Sequence, residues 1–151
     1  MKISQRGLYA LKALLHLAAS HERGLVRIHT VAEAEQIPEK FLESILLALK
    51  NGRIVSSQRG REGGYRLRRP PEEIILGEIV RLIDGPLAPF EDAVELQQRV
   101  RTETRHPGLF DVFLEVRNAS SAIMDRTSLA DLLARDHRLL AARAPDSPLP
   151  R

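Results

Sequence analysis

The chain has 151 residues, of which 43% are hydrophobic and 28% charged, as is ordinary for a globular protein with a sizeable core. No apolar run approaches the roughly 18 to 20 residues that a membrane helix needs, and the first residues lack the apolar segment of a signal peptide. We therefore expect a cytoplasmic protein without membrane contacts. The sequence contains no cysteine, which excludes disulfides and iron–sulfur or metal sites built on thiolates.

The net charge of +3 is unevenly distributed along the chain. Residues 1–70 hold 13 Lys and Arg against 6 Asp and Glu, a net of +7, whereas residues 71–151 hold 10 against 14, a net of −4. The basic half of the chain would attract phosphates, and the acidic half would not.

Three helices are predicted in the first 51 residues. Ser4 can cap the first helix, which runs to about residue 20 and ends before Gly24. Its expected buried stripe consists of Leu8, Leu11, Leu14, Leu15 and Ala18. A second helix over about 28–35 and a third over about 38–51 are separated by a turn at residues 36–38, where Pro38 suits the start of the third helix.

The third helix has two distinct faces. Its apolar residues would pack on the two earlier helices and are Phe41, Leu42, Ile45, Leu46 and Leu49. The residues that point away from this core are Glu39, Lys40, Glu43, Ser44 and Leu47. In a helix-turn-helix motif, the outward face of the second motif helix lies in the major groove of DNA.

A short glycine-rich hairpin follows directly. Residues 54–58 and 64–67 have the character of two strands, joined by a loop over residues 59–63 that carries Arg59 and Arg61. A flexible cationic tip is suited to the groove of a polyanion. The alternative is a solvated surface, but seven basic side chains against the single acid Glu62 over residues 50–69 favour nucleic acid. The order of elements predicts a winged helix-turn-helix domain.

These patterns predict a set of DNA contacts. Arg59 is the main candidate, because nothing else explains a guanidinium beside Gly60 at a hairpin tip. We expect Arg61 and Lys50 to contact phosphates and Lys40 to contact a base or a phosphate. For the other outward residues of the third helix the alternative is an ordinary solvated face, and Ser4 could combine capping with a phosphate contact.

The second half of the chain is predicted to be helical, over about 76–84, 92–101, 107–125 and 129–142, the last opened by a capping box that begins at Ser128. The apolar stripe of the long helix over 107–125 is wider than one packing contact needs, so we expect a homodimer. Its members are Leu109, Phe110, Phe113, Leu114, Val116, Ile123 and Met124. The predicted fold is mainly α with a small β-hairpin. Residues 1–75 would form the winged helix, 76–143 a dimerisation and effector region, and 144–151 a disordered tail.

No catalytic or metal-binding constellation stands out. The five histidines are scattered, with no His-Glu-x-x-His pattern, and no nucleophile elbow occurs. The single glycine-rich loop precedes a strand instead of a helix, which argues against a nucleotide site. We therefore predict a protein that is not an enzyme and holds no cofactor. His106 near Glu103 is the one candidate for a metal or small-ligand sensor.

Five sequence elements together resemble the IscR/NsrR/CymR family of winged-helix transcription regulators, also called the Rrf-two family, over about residues 1–135. They are Ile3-Ser4 with Tyr9-Ala10, Phe41-Leu-Glu43, Val55-Ser-Ser-x-Arg-Gly-x2-Gly-Gly-Tyr65, Arg69-Pro-Pro71 and Thr127-Ser-Leu-Ala-Asp-Leu132. The resemblance implies a dimer whose long helices cross and whose winged helices bind a near-palindromic operator in double-stranded DNA. It also implies that Lys40, Glu43, Ser44 and Glu39 face the bases, and that Arg59, supported by Arg61, enters the minor groove.

The sequence departs from this family in two places. Gln36 stands where the turn often has glycine, which implies an unusual backbone angle or a shifted turn. Many members also carry three cysteines around residues 90–106, where this chain has only poor ligands for an iron–sulfur cluster, namely Glu91, Asp92, Glu95, Glu103 and His106. The nearer functional type is then a cysteine-free repressor controlled by a partner enzyme. The alternatives are a protein-interaction module under such a partner, or a direct sensor of a small molecule or metal.

Overall fold

A computed structural model of the protein describes residues 2–87 and 92–143. In chain order its elements are α1 (Gln5–Ala19), α2 (Ile28–Glu35), α3 (Glu39–Asn51), β1 (Val55–Gln58), β2 (Gly64–Leu67), α4 (Leu76–Asp84), α5 (Ala93–Thr102), α6 (Pro107–Asp125) and α7 (Leu129–Ala141). Short 3₁₀ helices cover His21–Arg23 and Pro71–Glu73. The prediction of a mainly helical fold with one β-hairpin is confirmed.

The first helix packs against both helices of the helix-turn-helix. Its side of the core consists of small residues as well as leucines: Gly7, Ala10, Ala13, Leu14, Leu17 and Ala18. The prediction that Leu8 belongs to this face is wrong, because 44% of its surface is exposed. Alanine and glycine let neighbouring helices approach closely, and a pattern built on large apolar side chains gives them too little weight.

The turn between α2 and α3 contains a left-handed residue. Gln36 ends α2 with φ 54° and ψ 48°, so the chain adopts the conformation that glycine would adopt at no steric cost. The amide of Ile37 donates to the carbonyl of Ala32 at 2.9 Å, which closes the end of α2. Of the two expected consequences of Gln36, an unusual backbone angle or a shifted turn, the structure shows the unusual backbone angle.

Strands β1 and β2 form an antiparallel hairpin in which Val55 pairs with Leu67 and Gln58 with Gly64. Val26, which precedes α2, exchanges two backbone hydrogen bonds with Tyr65, at 2.9 and 2.8 Å. A Cβ on Gly64 would overlap the carbonyl of Val26, so this close pairing requires glycine. The hairpin is thereby held against the helix-turn-helix as a wing.

The C-terminal helices return to the N-terminal core. Leu129, the first residue of α7, is fully buried together with Ile74, and its amide donates to the carbonyl of Ile74 at 2.9 Å. Helix α4 packs on α1, and its Arg81 forms a bidentate ion pair with Asp125 at the end of α6, at 2.6 and 2.8 Å. The predicted boundary between two domains at residue 75 stays a prediction. One hydrophobic core contains residues from both sides of this boundary.

Helix α6 packs chiefly on α5, yet within the described residues none of its side chains is fully buried. Phe110 and Phe113 meet edge to face at 6.4 Å between ring centroids, and the Arg99 guanidinium lies 5.5 Å from the centre of the Phe110 ring. No helix within the described residues is long and apolar enough to cross a bilayer. Residues 88–91, which include Glu91, and the predicted disordered tail at 144–151 lie outside the described residues.

Candidate nucleic-acid interface

The outward face of α3 is exposed as the sequence predicted. Leu42, Ile45, Leu46 and Leu49 are fully buried, which fixes the rotation of the helix about its axis. The opposite face then presents Glu39, Lys40, Glu43, Ser44, Leu47 and Lys50 to solvent. Five of these belong to the predicted DNA contacts, and Leu47 does not.

Two of the predicted contact residues have partners within the chain. The Ser44 hydroxyl donates to the carbonyl of Phe41 at 2.9 Å, and Arg6 of α1 donates to the Ser44 hydroxyl and carbonyl oxygens at 3.3 and 3.4 Å. Glu39 lies 3.1 Å from Nδ1 of His29. Arg6 therefore lies at the edge of the candidate interface, and no sequence signal indicated this because 38 residues separate it from Ser44.

The tip of the wing carries the two predicted arginines. Gly60 has φ 110° and its carbonyl accepts from the amide of Gly63 at 3.0 Å, which closes the turn. The side chains of Arg59 and Arg61 are exposed, and within the described residues neither has a carboxylate partner. Arg27, just before α2, donates to the carbonyl of Arg61. This second missed residue connects the wing tip to the helix-turn-helix.

A groove of about 540 Å³ separates α3 from the wing. Among the described residues that line it, four carry a permanent positive charge and none is a carboxylate. The four cations are Arg27, Lys50, Arg59 and Arg61. Three of them were predicted from the sequence, although only the fold brings helix and wing together across one space. Such a groove concentrates positive potential and attracts phosphate groups.

Ser4 occupies a different environment from the one predicted. Its hydroxyl accepts from the amide of Gly7 at 2.9 Å, so the predicted cap of α1 is confirmed. The hydroxyl also donates to Asp84, whose other carboxylate oxygen accepts from the Ser4 amide at 2.9 Å. A Cβ on Gly7 would overlap this carboxylate. A carboxylate of the chain itself therefore occupies the start of α1, and the phosphate contact of Ser4 stays a prediction.

In the region where the family resemblance implies cluster-binding cysteines, the described carboxylates of this chain have structural roles. Asp92 caps α5 by accepting from the amide of Val94 at 2.9 Å. Glu103 accepts from the amides of Arg105 and His106 at 3.0 and 3.4 Å, and these hydrogen bonds lower the pKa of Glu103. Within residues 2–87 and 92–143 no group of three or more potential ligands is arranged to hold a metal ion. This donor set does not fit an iron–sulfur cluster.

Comparison with known proteins identifies the family. The model of the Rrf2 family, described as an iron-dependent transcriptional regulator, matches residues 3–135. The chain belongs to the Rrf2 family of transcriptional regulators. The predicted resemblance is thereby confirmed.

The similarity to Rrf2 relatives extends over most of the length of both chains. The HTH-type transcriptional regulator CymR of Bacillus subtilis is 33% identical over 132 residues, which cover 87% of this chain and 89% of that protein. The solved structure of CymR, the global cysteine regulator of B. subtilis, has a TM-score of 0.77 at 31% identity and covers 89% of this chain and 98% of its own. IscR of T. potens has a TM-score of 0.70 at 26% identity, covering 97% and 94%. The winged-helix fold and a role in DNA-binding regulation are confirmed, and a relative named as a transcriptional regulator indicates a role other than catalysis.

Proposed function

We propose that this Rrf2 protein is a homodimeric, sequence-specific repressor that binds a near-palindromic operator and acts in the cytoplasm, where such DNA is found. The observation that carries the proposal is the groove between α3 and the wing, which is lined by four cations and, within the described residues, by no carboxylate. The exposed polar face of α3 continues from this groove. A surface of this kind provides both phosphate attraction and groups that can recognise bases.

In this proposal α3 enters the major groove, which is about 12 Å wide and admits one α-helix. The side chains of Lys40 and Glu43, both exposed and without a hydrogen-bond partner within the described residues, face the base edges. Arg59 enters the adjacent minor groove, and Lys50 and Arg61 contact phosphates. Ser44 and Glu39 stay in the proposed set, but Arg6 and His29 compete for them.

The dimer is inferred from a row of side chains on α6 that we call the seam: Leu109, Val112, Val116, Ala119 and Ile123. Their spacing of three and four residues alternately is that of the contact positions in a two-helix coiled coil. All five are exposed. The matching surface for such a self-complementary row is the same row on a second copy. A two-fold dimer of winged helices then reads two half-sites of opposite orientation.

The proposed repressor works without an iron–sulfur cluster, although the family model is described as iron-dependent. The chain has no cysteine, and its carboxylates near residue 103 already cap helices and loops. The signal that controls DNA binding must then come from another source. A regulatory protein partner, expected from the sequence, stays a prediction.

Operator selection from a random duplex pool, followed by fluorescence anisotropy, tests the proposal. Recovered sites should contain two inverted half-sites. With about six phosphate contacts per dimer, from Lys50, Arg61 and Arg27 of each copy, affinity should fall roughly 10³-fold between 50 and 200 mM salt. Selection that returns no common sequence, or an affinity that does not change with salt, would rule the proposal out.

A further inference from the structure

Leu47 is an apolar residue in the middle of the polar surface of α3. It is 58% exposed, and its neighbours one turn away on the same face are Ser44 and Lys50. The buried row of α3 is complete without it. Leu47 also lines the groove to the wing, opposite Arg59.

The position of Leu47 sets it apart from other exposed leucines. Single exposed apolar residues are common and need no explanation, but this one lies at the centre of the face that α3 presents to the major groove. In that position DNA binding would remove it from water. The neighbouring Arg59 and Lys50 attract phosphates, so the groove selects for a nucleic acid over an apolar protein surface.

The base edges of the major groove expose one apolar group, the C5-methyl of thymine. A leucine side chain can neither donate nor accept a hydrogen bond, so it cannot recognise the polar groups of the other bases. We infer that Leu47 determines specificity by packing on the methyl group of one thymine in each half-site. This inference depends on the proposed DNA-binding function.

Replacement of thymine by deoxyuridine tests the inference, because it removes only the methyl group and preserves base pairing. Each thymine of the selected operator is replaced in turn, at symmetric positions of both half-sites. Burial of one methyl-sized group corresponds to about a four-fold change in affinity, so two half-sites give about 15-fold. Wild-type protein should lose about this much at one symmetric pair of thymines and little at the others.

The variant Leu47→Ala should bind the thymine operator about 15-fold more weakly than wild type and respond less than two-fold to deoxyuridine at that same pair. Leu139→Ala, which shortens a leucine that is 50% exposed on α7, is the matched control and should keep the full response. Circular dichroism and the thermal midpoint should be the same for all three proteins, because both leucines are exposed.

The outcomes separate the two proposals. A wild-type protein that binds its operator but responds to no deoxyuridine overturns the role of Leu47 and leaves the regulator function intact. The same holds if Leu47→Ala keeps the wild-type response. If wild-type protein binds no operator at all, the proposed function fails and the inference about Leu47 fails with it.

Discussion

Helices α3 and α6 both carry a row of large apolar residues, but only α3 buries its row within the chain. Leu42 and Ile45 of α3 are fully buried, whereas Val116 and Ile123 of the α6 seam are 54% and 55% exposed. The apolar row of α3 is therefore buried within one copy, and that of α6 is not. The exposed α6 seam, which is self-complementary in spacing, is the observation that supports the proposed dimer.

The exposed surfaces of the two regions differ in chemistry as well. The outward face of α3 and the wing carry permanent positive charges at Lys40, Lys50, Arg59 and Arg61. The five seam residues of α6 carry no charge. The surface of α3 and the wing is thus suited to a polyanion, and the uncharged α6 seam is suited to the proposed contact with a second copy. Four substitutions test this contrast.

The largest effect is expected from Val116→Asp in the seam. In the dimer the change places two carboxylates at the centre of an apolar contact, where their desolvation is costly. The dimer dissociation constant should rise about 100-fold or more, as measured by analytical ultracentrifugation. The control is Asn118→Asp, which adds the same charge at an exposed position outside the seam. A Val116→Asp protein that dimerises as well as this control would show that the seam is not the interface.

Arg59→Ala should produce the next largest effect, this time on DNA binding without a change in dimerisation. Loss of one specific contact costs about 1–3 kcal/mol, or roughly 5- to 150-fold in affinity for one half-site, and in the proposed dimer both half-sites lose it. The measurement is an anisotropy titration at fixed salt. Arg138→Ala removes an exposed arginine from α7 and should change affinity less than two-fold. Equal affinities for the two variants would place the wing outside the interface.

Ser128→Ala tests how the start of α7 is stabilised where it joins the core of the winged helix. Ser128 and Asp131 form a reciprocal capping box, so the change should lower the free energy of unfolding by about 1 kcal/mol in urea near pH 7. Ser120→Ala, within α6, is the control and should cost nothing. An unchanged unfolding free energy would mean that α7 starts without help from this cap.

The same variant has an expected pH dependence. The backbone amide of Ser128, and after it the hydroxyl, lower the pKa of Asp131 below its usual value of 3.8. A lowered carboxyl pKa stabilises the fold above the unfolded pKa, and this contribution is lost as pH falls through the folded pKa. The difference between wild type and Ser128→Ala should therefore shrink as pH falls below about 4. A difference that grows on acidification would contradict the capping interaction.

The smallest effect is expected from Gln36→Gly, a change in the turn of the winged helix that should alter the free energy of unfolding. Gln36 adopts a left-handed conformation, which costs a residue with a Cβ about 1–2 kcal/mol. Glycine removes this cost, but part of the gain is offset because glycine loses more chain entropy on folding. The free energy of unfolding should therefore rise by at most about 1 kcal/mol. Gln36→Ala keeps the Cβ and should give no gain. Equal stability of the two variants would indicate that the turn is not strained.

The secondary structure was predictable because its signals are local. Helix α4 covers the predicted residues 76–84 and α6 the predicted residues 107–125, since Gly85 follows the end of α4 and Pro107 begins α6. The exposed face of α3 followed from helical spacing alone. Which face of α1 is buried was predicted less well, because Ala10 and Ala13 are fully buried beside its leucines and the predicted stripe omitted them.

Contacts between distant residues were not predictable from spacing. Arg6 reaches Ser44 across 38 residues, Arg27 reaches Arg61 across 34, and Asp84 reaches Ser4 across 80. Each of these depends on how helices pack, and one sequence contains no signal for a partner so far away. They place Arg6 and Arg27 beside the proposed contact residues and give Ser4 a carboxylate partner within the chain.

Composition, short-range periodicity and motifs are properties of the chain. From them alone the helices and strands, the charge asymmetry, the absence of thiolate ligands and the family could be predicted. Only the tertiary structure decided that α3 and the wing enclose one cationic groove and that the start of α1 holds a carboxylate of its own. It also decided that the α6 seam stays uncovered within one copy. These features depend on distances between residues far apart in the chain, and packing of the apolar core sets those distances.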